Sequence, residues 1–168
     1  MAENVANETS ETKFEFEDRV VSIKRCSKVV KGGRNFSFSA LVVVGNRHGQ
    51  VGIGLGKANE VVDAIRKGGE LARKATVDVP LSGNTLPHAV EARHRGGRII
   101  MRPAAPGTGL IAGGGMRAVL ELAGVKDVLA KSLGSNNAIN VVKATMVGFD
   151  DLTTRREVLA KRGLESLG

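Results

Sequence analysis

A six-residue run in which every second residue is glycine places the tightest limit on how this chain folds. In Val51-Gly52-Ile53-Gly54-Leu55-Gly56 the apolar side chains and the glycines alternate with the period of a β-strand. One face of this strand therefore has no side chains, so another backbone or a helix can come very close to it. A helix is predicted next, from about Ala58 to Ala75. Its expected buried stripe consists of Val61, Val62, Ile65, Gly68, Gly69 and Ala72.

Two further strands are predicted before the glycine-faced strand. β-branched residues within 19–30 indicate the first strand, Gly32-Gly33 indicates a turn, and alternating apolar residues within 36–44 indicate the second. The later half of the second strand is apolar on both faces, so we expect it to be the more deeply buried half. Phe36 and Phe38 lie on its apolar face, and we assign both rings to the core.

A cluster of turn-forming residues at 80–87 is the predicted boundary between two small domains of an α+β protein. Residues 14–80 form a three-stranded antiparallel sheet with one helix. Residues 81–150 form a two-layer α/β domain with a four-stranded sheet and two helices, the second of them capped by Ser135. Residues 151–168 form a C-terminal helical tail that opens with the capping box Thr154–Glu157.

The charge of the chain is unevenly distributed. The sequence has 25 Lys+Arg and 17 Asp+Glu, a net charge of +8, yet residues 1–18 contain six acids and one base. We predict that residues 1–13 are a disordered acidic tail and that the basic remainder binds a polyanion. The single cysteine, Cys26, fits a reducing compartment such as the cytoplasm. No apolar run is long enough to span a bilayer, so we expect no membrane partner.

Two glycine motifs invite an enzymatic interpretation. Gly56-Lys57 fails as a phosphate-binding P-loop, because Val51 replaces the first glycine and Ala58 replaces the Ser/Thr that would hold Mg²⁺. The run 107–112 matches a relaxed dinucleotide fingerprint, with Asp127 about twenty residues on. Asp127, however, begins its strand, whereas the acid that binds a ribose ends one. The alternative is that glycines 113–115 serve close backbone packing.

No other pattern predicts catalysis, a cofactor or a metal. The three histidines, His48, His88 and His94, have no recognised ligand spacing, and arginines flank His94. We find no nucleophile–base pair and predict that the protein is not an enzyme.

Basic clusters carry the functional signal. Between residues 19 and 34 there are six bases and no acid, at a glycine-tipped hairpin whose backbone can approach phosphates. The alternative is a solvated edge strand that lysines protect from aggregation. A second cluster, with Gly96-Gly97 inside it, consists of Arg93, His94, Arg95, Arg98 and Arg102. Arginine forks suit phosphates, although Arg102 fits a side chain lying along the core equally well.

Several longer motifs occur together in a recognisable order. They are Val30-Lys31-Gly32-Gly33-Arg34, Phe36-Ser37-Phe38, Val51-Gly52-Ile53-Gly54-Leu55-Gly56-Lys57-Ala58, Gly107-Thr108-Gly109-Leu110-Ile111-Ala112-Gly113-Gly114 and Gly134-Ser135-Asn136-Asn137. Over residues 15–150 the chain resembles bacterial small-subunit ribosomal protein number five. The resemblance implies an N-terminal domain similar to the double-stranded-RNA-binding fold. It also implies a C-terminal α/β domain of a kind shared with some small-molecule kinases.

The resemblance also implies a function and a set of partners. A protein of this kind binds small-subunit ribosomal RNA, bridges the head and body of the subunit, contacts its fourth and eighth proteins, and lies near the channel through which messenger RNA enters. It supports translational accuracy. Gly109 and Arg117 would belong to the protein interface. The predicted rRNA-binding residues are Lys24, Arg25, Lys28, Lys31, Gly32, Gly33, Arg34, Lys57, Arg93, His94, Arg95 and Arg98. A nucleotide-dependent small-molecule kinase and a free RNA chaperone are the alternative functions.

Overall fold

A computed structural model of the protein describes residues 15–164, so the predicted acidic tail of residues 1–13 lies outside the described residues. The first half consists of β1 (Glu17–Val30), β2 (Gly33–Gly45), β3 (Gln50–Ala58), α1 (Val61–Lys74) and β4 (Thr76–Asp78). The second half consists of β5 (Val90–His94), β6 (Gly97–Pro103), β7 (Leu110–Ile111), α2 (Gly114–Ala123), β8 (Val128–Ser132), α3 (Ala138–Asp150) and α4 (Arg155–Lys161).

The elements form two four-stranded sheets, which confirms the predicted α+β fold. The first sheet is antiparallel and has the strand order β1-β2-β3-β4; its short edge strand β4 adds a fourth strand to the three that were predicted. The second sheet has the order β5-β6-β8-β7, and only β7 and β8 run parallel.

Helix α1 covers the glycine face of β3, and the backbones of the two elements are in direct contact. A Cβ atom added to Gly52, Gly54 or Gly56 would overlap the carbonyl oxygen of Ala72, Gly68 or Ala64, respectively. The close approach predicted from the alternating glycines is therefore confirmed, and any side chain on this face would force the helix away from the sheet.

The later half of strand β2, residues 40–45, is buried on both faces, but by different partners. Ala40, Val42 and Val44 form a small core with the underside of α1. Leu41 and Val43 point to the other face and belong to a larger core that includes the second half of the chain. All five residues are at most 3% exposed, as the two-sided apolar pattern predicted.

Helix α2 joins the second half to the first sheet. The backbone N–H of Arg47 donates to the Leu122 carbonyl oxygen at 2.9 Å, and that of Gly49 donates to the Ala123 oxygen at 3.0 Å. Arg19 of β1 also forms an ion pair with Glu121. These contacts hold the end of α2 against the β2–β3 turn.

Two details of the predicted helices are wrong. Val62 is 75% exposed, and Ala64 takes its place in the buried stripe of α1, because the buried face follows Ala64, Gly68 and Ala72 at intervals of four residues. Asn137, rather than Ser135, caps α3, with its side-chain oxygen accepting from the Ile139 N–H at 3.4 Å.

The predicted capping box of the last helix is confirmed. The Thr154 hydroxyl accepts from the Glu157 N–H, and the Glu157 carboxylate accepts from the Thr154 N–H. Helix α4 has no buried residue. None of the helices in residues 15–164 has the length and apolar character needed to cross a membrane.

Candidate nucleic-acid interface

The end of the β1–β2 hairpin extends beyond the rest of its sheet as a two-stranded arm. We call residues 23–36 the ribbon; every one of them is exposed. Strand β3 pairs with β2 only from Phe38 to Gly45, so beyond Arg25, which pairs with Phe38, no third strand flanks the ribbon. A hairpin of this kind buries little apolar surface. Its charged residues are therefore not explained by packing.

Strand register places the lysines of the ribbon on one face. Directly paired residues of antiparallel strands share a face, and Lys24 pairs with Ser39, which in turn pairs with Lys57 of β3. Lys28 lies four residues along β1 from Lys24 and therefore shares its face. The structure thus places Lys57, which is distant in sequence, on the same face as Lys24 and Lys28, while Lys31 and Gly32 form the turn at the tip.

The arginines of the ribbon lie on the opposite face. Arg25 pairs with Phe38, and Arg34 pairs with Val29. The guanidinium carbon of Arg25 lies 4.6 Å from the centre of the Phe36 ring, within the range of a cation–π contact. This face therefore combines two cations with an aromatic ring.

The assignment of Phe36 to the core is wrong. Its ring is 46% exposed, whereas Phe38, two residues closer to the sheet, packs against the small core under α1. The alternating pattern continues smoothly from one ring to the other. The sheet, however, is three strands wide at Phe38 and only two strands wide at Phe36, because the pairing of β2 with β3 stops at Phe38.

The ribbon bases are not neutralised by neighbouring acids. Among residues 15–164 the four ion pairs are Arg19–Glu121, Arg47–Glu17, Arg66–Asp63 and Arg98–Glu91, and all of them lie outside the ribbon. Its positive charge is therefore directed at solvent, where a polyanion can reach it.

The second basic cluster lies on the β5–β6 hairpin, in the other sheet. Arg93 and Arg98 are directly paired and exposed, and Arg95 stands in the turn. His94 is only half-exposed and pairs with Gly97, a residue packed closely against the backbone of Asn140 in α3. This hairpin is anchored on one face and basic on the other.

Arg98 is already engaged by an acid on the neighbouring strand. It donates a hydrogen bond to the Glu91 carboxylate and forms an ion pair with it. That hydrogen bond, reinforced by the charge of Arg98, holds the pKa of Glu91 below its ordinary value, while partial burial acts in the opposite direction. The same hydrogen bond raises the pKa of Arg98.

The predicted protein-interface residues lie at the glycine-rich loop. The Arg117 guanidinium donates to the Leu110 carbonyl oxygen at 3.3 Å, which brings this side chain from α2 back to β7 beside Gly109. The structure thus places both residues at one site.

Asp127 has a role that sequence reasoning missed. It is 6% exposed, and one of its carboxylate oxygens accepts hydrogen bonds from the N–H groups of Gly107 at 3.0 Å and Gly109 at 2.9 Å. These loop amides, which a dinucleotide phosphate would require, are satisfied by a carboxylate of the chain itself. The spacing between the loop and Asp127 is visible in the sequence, but there it suggests only a ribose-binding pattern.

The histidines show no metal-binding geometry. His88 donates from Nδ1 to the Ala89 carbonyl oxygen at 2.9 Å and accepts at Nε2 from the Thr153 N–H at 3.1 Å, so both ring nitrogens are used by the backbone. Within the described range, His, Cys, Asp and Glu side chains form no group of three that could hold a metal ion.

Comparison with known proteins gives a consistent result over nearly the whole described chain. Residues 16–80 match the family model "Ribosomal protein S5, N-terminal domain", and residues 92–162 match "Ribosomal protein S5, C-terminal domain". The chain is 52% identical over 162 residues to the small ribosomal subunit protein uS5 of Protochlamydia amoebophila, covering 96% of this chain and 97% of that protein.

A second relative gives the same result. The chain is 58% identical over 147 residues to the small ribosomal subunit protein uS5 of Nocardia farcinica, covering 88% of this chain and 67% of that protein. The two family matches together cover more than half of the chain, and both relatives are more than 50% identical to it. The chain therefore belongs to the ribosomal protein S5 family.

Proposed function

We propose that this protein binds small-subunit ribosomal RNA through the ribbon, bridges the head and body of the subunit, and supports translational accuracy. As a member of the ribosomal protein S5 family, it is a structural constituent of the small ribosomal subunit in the cytoplasm and is not an enzyme. The observation that carries the RNA-binding proposal is the ribbon, an exposed two-stranded arm with bases on both faces and at its tip.

The shape of the ribbon favours contact with an RNA backbone. Lys24, Lys28 and Lys57 share one face of the sheet, so they can contact several phosphates of one RNA backbone. The glycines of the tip, Gly32 and Gly33, have no neighbour within 4 Å of a would-be Cβ. The turn can therefore come close to a groove that larger side chains would keep at a distance.

The β5–β6 hairpin supplies a second proposed contact, through Arg93, His94, Arg95 and Arg98. Arg95 is held with a φ of 52°, a left-handed conformation that is unfavourable for any residue with a Cβ. Glycine would relieve this strain, so the presence of an arginine in the turn supports a role for its charge.

The proposed protein partners are the fourth and eighth proteins of the small subunit, and Gly109 and Arg117 would face one of them. The proposed location of the protein is near the channel through which messenger RNA enters. The loop that presents Gly109 is held from inside by Asp127, which gives a protein interface a defined shape. The same bonds count against the kinase alternative, since they occupy amides that a phosphate would need.

Removal of charge from the ribbon tests the RNA-binding proposal. We expect the triple variant Lys28→Gln, Lys31→Gln, Arg34→Gln to bind small-subunit ribosomal RNA more weakly. The slope of log affinity against log salt should fall by about three, roughly one for each lost phosphate contact. Filter binding at several salt concentrations measures both quantities.

A matched control uses three exposed bases of α1. The variant Lys67→Gln, Lys74→Gln, Arg73→Gln loses the same charge and the same residue types from outside the ribbon. Its salt slope should stay close to that of the wild type. Equal losses in the two variants would mean that total charge, rather than the ribbon, attracts the RNA. Sedimentation with assembled small subunits separates a ribosomal constituent from a free RNA chaperone, which would travel with RNA alone.

A further inference from the structure

The Arg25–Phe36 pair lies on the ribbon face opposite the lysines, and we propose that it is a stacking site for one unpaired base of ribosomal RNA. The inference rests on the proposed RNA binding and deepens it. The lysine face would contact the backbone, whereas the arginine face would contact a base. The two faces of one ribbon would then recognise two different chemical parts of the same RNA.

The exposure of Phe36 is the first support for this stacking site. Phe36 is 46% exposed and pairs with Ser27 in the part of the hairpin that β3 does not flank. Large apolar side chains are normally withdrawn from water when a core is available, and Phe38, two residues away, is withdrawn in that way. A ring left on a charged arm offers a flat π surface, which any base can use.

The position of Arg25 is the second support. Its guanidinium carbon lies 4.6 Å from the ring centre, so the two flat groups are already associated before any ligand arrives. Because the guanidinium lies over one face of the ring, a base can stack on the outer face of either group, and the cation–π contact extends the stack. Both side chains are already ordered by their mutual contact, which reduces the entropy lost on binding.

The chemistry of the ligand follows from this geometry. Bases inside a regular RNA helix have both faces covered by their neighbours, so only an unpaired base in a loop, in a bulge or at a helix end can stack on a protein ring. Stacking does not depend on base identity. We therefore expect recognition of an exposed base of any type at a fixed position in folded ribosomal RNA.

The absence of Trp and Tyr from the sequence permits a direct test. The variant Phe36→Trp introduces a single indole at the proposed site. We expect small-subunit ribosomal RNA to quench its fluorescence strongly, because a stacked base quenches an indole. The control variant is Val62→Trp, which places an indole on α1, outside the ribbon, at a residue that is 75% exposed. Its fluorescence should change little.

Affinity measurements distinguish stacking from charge. Phe36→Leu should weaken binding to the same RNA about tenfold, as expected for one lost base–aromatic stack, and should leave the salt slope unchanged. Phe36→Tyr should restore wild-type affinity. Lys28→Gln should instead lower the salt slope by about one, because it removes a contact with a phosphate. Thermal unfolding of each variant checks that the fold is retained.

The outcomes separate the two proposals. If Phe36→Leu binds like the wild type and the indole of the Phe36→Trp variant is unquenched, while Lys28→Gln lowers the salt slope, then the stacking site is refuted and RNA binding by the ribbon stands. If the wild-type protein itself shows no salt-dependent affinity for the RNA, both proposals fail. Quenching at position 36 together with a tenfold loss in Phe36→Leu would establish the stacking site.

Discussion

The two hairpins that carry basic clusters look alike in sequence and differ in structure. Each has arginines or lysines around a pair of glycines, Gly32-Gly33 in one and Gly96-Gly97 in the other. The distal part of the ribbon has no third strand beside it, whereas Gly97 lies against the backbone of α3. The first is a free arm, and the second is an anchored edge of a sheet.

This difference changes how the bases of each hairpin are used. The ribbon bases form no ion pair with any acid in residues 15–164, whereas Arg98 of the second hairpin is paired with Glu91, and Arg93 donates to the Arg95 carbonyl oxygen at 3.3 Å. A basic cluster in a sequence thus indicates a surface, but the packing beneath it decides how much of its charge is available to a partner.

The largest expected effect is on stability, at the anchored hairpin. A Cβ at Gly97 would lie 2.8 Å from the Asn140 carbonyl oxygen and 3.0 Å from its carbon. We therefore expect Gly97→Ala to lower the free energy of unfolding by about 2 kcal/mol, which is typical of overpacking, and to lower the Tm in a calorimetric scan. The control is Gly32→Ala, where a Cβ meets no atom within 4 Å, and there the change should stay within about 0.5 kcal/mol. Equal losses of unfolding free energy in the two variants would contradict the distinction between a free and an anchored hairpin.

A smaller effect with the opposite sign is expected in the turn of the same hairpin. Arg95 has a φ of 52°, so Arg95→Gly should relieve strain and raise the free energy of unfolding by about 1 kcal/mol, while it weakens binding to ribosomal RNA. Arg93→Gly removes the same side chain from a regular strand position and should lower stability by about 0.5–1 kcal/mol. Chemical denaturation measures both changes. A loss of stability in Arg95→Gly would show that the arginine side chain stabilises the turn.

The smallest expected effect concerns Glu91. Its pKa is lowered by the hydrogen bond from Arg98, so the carboxylate is charged at neutral pH and offsets the charge of that arginine. Glu91→Gln should therefore strengthen binding to ribosomal RNA roughly twofold at pH 7. A group whose pKa is depressed by folding loses its contribution as the pH falls through that pKa, so wild type and variant should converge only at a pH below the ordinary titration range of a glutamate carboxyl. Affinity titrations at several pH values test this, and weaker binding by the variant would contradict it.

Local sequence patterns predicted the elements of the fold well where the residues that form the pattern are also the residues that make the packing contact. The alternating glycines of β3 are required by the helix that covers them, and the two-sided apolar run of β2 is required by its two cores. The capping box at Thr154 is a local signal as well. Such features can be predicted because the residues that show them are the residues that need them.

Other features depend on contacts between distant parts of the chain and were missed or misjudged. The exposure of Phe36 follows from where β3 stops pairing, a property of β3 and not of the Phe-Ser-Phe motif. Strand β7 has two residues, too few for any periodic signal. The bonds of Asp127 to Gly107 and Gly109 join residues 18 to 20 positions apart. The site residues and the domain boundaries named from the sequence remain predictions.

Strand β2 lies between two cores, and this has a consequence for how the molecule loses its structure. Val42 faces the helix of the first half, while its neighbours Leu41 and Val43 face the second half, so displacement of this single strand exposes both interiors at once. Unfolding of either half would expose one side of the other half's core to solvent. We therefore expect a single cooperative unfolding transition, although the chain matches two separate family models. Neither half should stay folded once β2 is displaced, because both cores include residues of β2.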